Sequence, residues 1–123
     1  MLHRSRIAAA LFIALLPAAP LAAHHGWAWA TDEEFKLTGA VRQVRHGNPH
    51  GTMLLATRSG VWTVEIGQPW RNAQAGLTRE MLKPGRTLLV HGHRSANKRL
   101  RLMKAERIVI AGKSYNLYPD RPS

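Results

Sequence analysis

Between Leu37 and Leu117 the apolar residues come in short runs, cut off by glycine, proline, asparagine or polar residues. "LTGAVRQVR" (37–45), "TMLLAT" (52–57), "VWTVEI" (61–66), "RTLLVHGH" (86–93), "LRLMKAERIVIA" (100–111) and "SYNL" (114–117) each read as a strand. In the third, Trp62, Val64 and Ile66 share one face while Thr63 and Glu65 point the other way. In the fourth, Leu88 and Val90 point inward and His91 and His93 outward. Val41 and Val44 are out of phase, which predicts a bulge near Arg42 and Gln43. Only "LTREML" (77–82) reads as a helix, with Thr78 as its cap and "KPG" as its stop. "GQPWRNAQAG" before it breaks the pattern.

Three strands, a short helix and two further long strands within about 80 residues follow the order of the five-stranded Greek-key barrel known as the OB-fold. The expected fold is therefore mainly β: a small OB-like barrel of five to six strands with one short helix. A small β-sandwich, or an open meander crossed by one helix, is the competing arrangement. The chain has no cysteine, so packing alone must hold it, and closing the sheet removes its edges.

The amino-terminal stretch has a different character. Arg4 and Arg6 precede the unbroken apolar run "IAAALFIALL" (7–16), and "PAAPLAA" follows with small residues. Residues 1–23 read as a secretory signal peptide, with cleavage after Ala23 or, as the runner-up, after Ala22. The run is too short for a membrane span, and no later stretch is longer. The expected organisation is signal peptide 1–23, leader 24–35, barrel 36–118 and a frayed tail 119–123, in a periplasmic or secreted protein.

About 100 residues would remain, enough for one small domain. Their net charge would be about +9 with histidine neutral, which favours anionic partners. Export argues against nucleic acid as the physiological one.

Cut after Ala23, the chain would begin His24-His25-Gly26. A terminal histidine offers its α-amine and its ring nitrogen to one ion, and another imidazole completes a set that suits copper(II). Cut after Ala22, His25 would stand third, which makes a square-planar copper or nickel site. Zinc is compatible with the same donors. In "HGNPHG" (46–51), Pro49 stiffens a loop and presents His50, the candidate third ligand. Residues 24–34, fully extended, reach about 36 Å. That suffices to run back beside the first strand, about 33 Å long, and bring His24 and His25 to His50. Taken alone, each histidine also reads as a solvated polar residue.

His91 and His93 lie about 6–7 Å apart on one strand face, a secondary metal candidate or a solvated outer face. Arg94, Lys98, Arg99 and Arg101 gather at the turn between the last two long strands, where OB-folds often bind polymers. Trp62 reads as core, Trp70 as a lid over one barrel end, and Trp27 and Trp29 as pins for the leader. The chain carries no G-x-S-x-G, H-E-x-x-H or phosphate-loop motif, and no carboxylate pair is spaced for acid-base chemistry.

The pattern resembles a family of small exported bacterial proteins, domain of unknown function 6152. The residues that carry the resemblance are His24-His25, Gly39, Asn48-Pro49-His50, Pro69, Leu82-Lys83-Pro84-Gly85 and Gly92, and it spans about residues 24–118. Gly26-Trp27 departs from the Ser-Phe that members often carry at this point. The resemblance implies that His24, His25 and His50 belong to one design, and it implies no activity.

The expected function is that of an exported binding protein, not an enzyme, holding a copper-type ion through His24, His25 and His50. The alternative is a basic interaction module for an anionic polymer or acidic protein, through Arg94, Lys98, Arg99 and Arg101. The third reading is an oxidase with an amino-terminal copper site.

Overall fold

A computed structural model describes residues 26–121. The expected signal peptide, His24 and His25 lie outside the described residues. Six strands form one sheet: β1 Phe35–Arg45, β2 Thr52–Thr57, β3 Gly60–Glu65, β4 Thr87–Arg94, β5 Leu102–Ile110 and β6 Lys113–Asn116. Their order is β3-β2-β1-β4-β5-β6, and a parallel β3–β5 pairing closes the first five into a barrel. β6 is an extra strand on the second half of β5. The OB-like barrel read from the sequence is the fold.

β1 makes closure possible because it is long enough to serve two neighbours. Its first half pairs with β4 and its second half with β2, and Ala40 is registered with both Thr87 and Ala56. The register slips between Val41 and Gln43, as their phase mismatch predicts. Here the strand must bend sharply, and a Cβ on Gly39 would lie 2.4 Å from the Ala56 carbonyl oxygen. A second slip falls between His91 and Gly92, where β4 crosses β5. A Cβ on Gly92 would lie 1.9 Å from the Lys104 carbonyl oxygen. Only glycine lets two backbones approach this closely.

The core fills the barrel with the inward residues of each strand: Val41, Met53, Leu55, Trp62, Val64, Leu88, Val90, Met103, Ala105 and Ile108 are all buried. Leu77 and Leu82, outside the strands, join the same core.

The helix is not where the pattern places it. The α-helix, α1, spans Pro69–Ala75, inside the stretch read as a break. Pro69 stands in the first turn, where its missing N–H costs nothing. α1 buries no residue fully, so it carries no apolar stripe for the sequence to display. Residues 77–82 form only a 3₁₀ turn, Arg79–Leu82, and Thr78 makes no side-chain cap bond. Trp70 is 55 % exposed and stacks on the Arg71 guanidinium, so it is no lid over the barrel.

The described part of the leader does not pair with β1; its backbone bonds go to the residues that end and follow β4. It lies over the outer face of β4 and β5 instead. Ala30 bridges Ser95, Thr31 N–H donates to the Arg94 carbonyl, and Ala96 N–H donates to the Trp29 carbonyl. No helix among the described residues is long and apolar enough to cross a membrane.

Candidate functional site

Alternation along β5 sends Met103 and Ala105 into the core and Lys104 and Glu106 to the outer face, and the register slip that skips Glu106 returns Ile108 to the core. Glu65 on β3 and His93 on β4 reach the same face. Strand alternation alone would leave these groups in water. They are covered because the two ends of the described chain, Gly26–Ala30 and Tyr118–Arg121, lie over them.

Trp27 is the centre of this cover. Its ring packs edge-on against His93 at 5.7 Å and Tyr118 at 5.0 Å, between centroids. Arg121 stacks over it at 4.0 Å, and the Lys104 ammonium lies 4.9 Å from its centroid. Arg121 also donates to Glu106 at 2.8 Å. The tail read as frayed is therefore docked as far as Arg121.

Lys104 is 1 % exposed. A buried ammonium needs a partner, and its Nζ donates to Glu65 Oε1 at 2.9 Å. The same carboxylate oxygen lies 3.5 Å from His50 Nδ1, too long for a formed hydrogen bond, and that nitrogen is buried without a partner. The other ring nitrogen of His50 faces the leader. A Cβ on Gly26 would lie 3.9 Å from His50 Nε2 and 3.1 Å from Lys104 Nζ. Gly26, with φ +92°, thus sits over both groups.

Burial pushes the His50 ring below the usual histidine range, and the Lys104 ammonium and Arg71 add to this. The Glu65 carboxylate and the Ile66 backbone oppose them without reversing the direction. His50 is therefore neutral at neutral pH, the form that can offer a lone pair to a metal. Its loop is pinned by Ile66 N–H, which donates to the Gly51 carbonyl at 3.0 Å. Tyr118, whose ring centroid lies 5.7 Å from the Lys104 ammonium, has a buried hydroxyl without a partner.

The other sequence candidates are placed as follows. His91 and His93 face outward as predicted, but they are 8 % and 7 % exposed, not solvated. His93 Nδ1 meets the Glu33 carbonyl and Nε2 meets Glu106, each at 2.9 Å, so neither nitrogen is open to an ion. His91 Nδ1 lies 3.0 Å from Glu34 and 3.1 Å from Arg107. Arg94 is a brace: its guanidinium lies over Phe35 and Trp62, 5.4 and 5.1 Å from the centroids. Lys98, Arg99 and Arg101 are exposed. Among the described residues no three His, Cys, Asp or Glu side chains are grouped to hold a metal. A cavity of about 570 Å³ lies elsewhere, between α1, the 3₁₀ turn and the His46–Gly51 loop.

A family model described as "Family of unknown function (DUF6152)" matches residues 13–102. No curated protein matches. Among solved structures, a complex of TiaS with tRNA and ATP is similar with a TM-score of 0.50 and 18% identity. The match covers 63% of this chain and 18% of that one. The S. pombe Stn1-ten1 complex is similar with a TM-score of 0.52 and 10% identity, over 65% of this chain and 59% of that chain. At these identities the likeness is one of fold alone.

Proposed function

This chain belongs to the family of unknown function DUF6152, and we propose that it is an exported, periplasmic metal-binding protein whose ion is shared by His24, His25 and His50. One observation carries the reading. Gly26 lies against His50 Nε2, and His25 is one peptide unit further along the chain, its Cα about 3.8 Å from that of Gly26. His24 and His25, which directly precede Gly26, would then supply two further imidazoles beside the neutral His50 ring. Removal of residues 1–23 would add the α-amine of His24. These nitrogen donors suit copper(II), and they accept nickel or zinc.

The test begins with protein exported by a bacterium, its first residue fixed by intact mass. Titration with copper(II) should give one tight site, and His50→Ala should weaken it at least tenfold. Equal affinity in both proteins would end the three-histidine reading. A chain that stays full-length in the cytosol would end the export reading.

The exposed Lys98, Arg99 and Arg101 favour a second reading, an anionic polymer or acidic protein as partner. Arg94 drops out of that patch because it packs on Phe35 and Trp62. Binding to such a polymer should fall steeply with salt. Neutralising the three exposed cations should flatten that dependence; an unchanged slope would leave the turn merely solvated.

A further inference from the structure

We propose that Glu65 is a positioning residue for His50: its carboxylate, facing Nδ1, favours the proton on that nitrogen and so leaves the Nε2 lone pair turned toward the leader. The proposal rests on the metal reading above for its purpose, and on geometry for its content.

A neutral imidazole carries one N–H, and its position decides which nitrogen can bind an ion. His50 Nδ1 is buried, and Glu65 Oε1 lies 3.5 Å away. A proton on Nδ1 faces this carboxylate. A proton on Nε2 would set the Nδ1 lone pair against the carboxylate and close the nitrogen beside Gly26. The first tautomer is the stable one, and it is also the one that can ligate.

Glu65 is itself held. Its register partner across the barrel seam is Lys104, which donates to the same oxygen at 2.9 Å. The carboxylate therefore cannot swing away from the ring without stranding a buried ammonium. A cation on Nε2 would draw electron density from the ring and make Nδ1–H a stronger donor. The contact would then close to ordinary charge-assisted length, about 2.8 Å. A carboxylate behind a ligating histidine fixes ring orientation and raises its basicity.

The experiment uses exported, correctly processed protein and copper(II) as the probe. Because Glu65→Gln leaves Lys104 without its partner, the informative comparison is Lys104→Met against Glu65→Gln/Lys104→Met. The double variant should bind copper about 10–100-fold more weakly than the single. In the metal-free protein, nitrogen-15 spectra should give His50 as the Nδ1–H tautomer. Glu65→Gln, whose amide can donate to Nδ1, should shift it toward Nε2–H, which a purely structural role for Glu65 would not do. The proposal is overturned by an Nε2–H tautomer in the parent protein, or by equal copper affinity in the two Lys104 variants when His50→Ala weakens binding. If His50→Ala leaves affinity unchanged, the metal reading fails alone, and the tautomer measurement still decides the role of Glu65.

Discussion

Lys104 and Glu65 face each other across the parallel seam that closes the barrel, and their side chains are joined at 2.9 Å. The pair lies under Trp27 rather than in water. One charge without the other is therefore a buried or half-buried ion with nothing to balance it.

Removing only the ammonium should be expensive. Lys104→Met is expected to cost about 3 kcal/mol, because Glu65 loses its counter-charge in a covered site. Glu65→Gln/Lys104→Met should recover much of that loss. Denaturant unfolding of the two single variants and the double one measures the coupling, and strictly additive losses would contradict the pairing.

Gly92 tests the barrel crossing. Gly92→Ala drives a methyl group into the Lys104 carbonyl, which is backbone and cannot step aside. We expect a loss of more than about 3 kcal/mol, enough to deplete folded protein. Gly112→Ala is the control, since nothing lies within 4 Å of the new Cβ and only the positive φ of 78° is strained. It should cost about 1 kcal/mol. Thermal melts of both variants make the comparison.

Tyr118 carries a buried hydroxyl without a partner. Tyr118→Phe removes it at no cost in hydrogen bonds and should be neutral or stabilising by up to about 1 kcal/mol. Burial pushes the phenol above its ordinary range, against the pull of Arg71. The unfolded chain therefore ionises first, at about pH 10. Stability should be fully present below that pH and fall as pH rises through the window up to the folded value. Tyr118→Phe should flatten this alkaline slope in denaturant melts taken across the range.

At the acid end the Glu34–His91 contact should be visible. The hydrogen bond from His91 holds the Glu34 carboxyl below its usual range, with Lys36 helping and partial desolvation opposing. Its stabilisation is present above the ordinary carboxylate range and is lost as pH falls through the folded value. Glu34→Gln should leave a shallower acid limb in the same melts.

Much of the barrel was legible because strand alternation is a local signal. Trp62, Val64 and Ile66 read as one face and are buried together, and the Val41–Val44 mismatch marked the bulge. α1 was hidden because it buries nothing fully, so the stretch that holds it read as a break in the pattern. The site was half legible. Alternation correctly turned His91, His93 and Glu65 outward, but it cannot say what lies over an outer face. That depends on the leader and the tail, which are remote in sequence from the strands they cover. Lys104 and Glu106 had a usable signal: two opposite charges two apart in a mostly apolar strand, on the face opposite Met103 and Ala105.

Trp27 under Arg121 carries a consequence for the order of assembly. During synthesis Trp27 emerges well before Lys104, Tyr118 and Arg121, which it touches. The hairpins of β1, β2 and β3 join neighbours close in sequence and have no such wait. The leader must therefore stay undocked until those residues have been made, and the cover over β5 is laid down only after the strands beneath it.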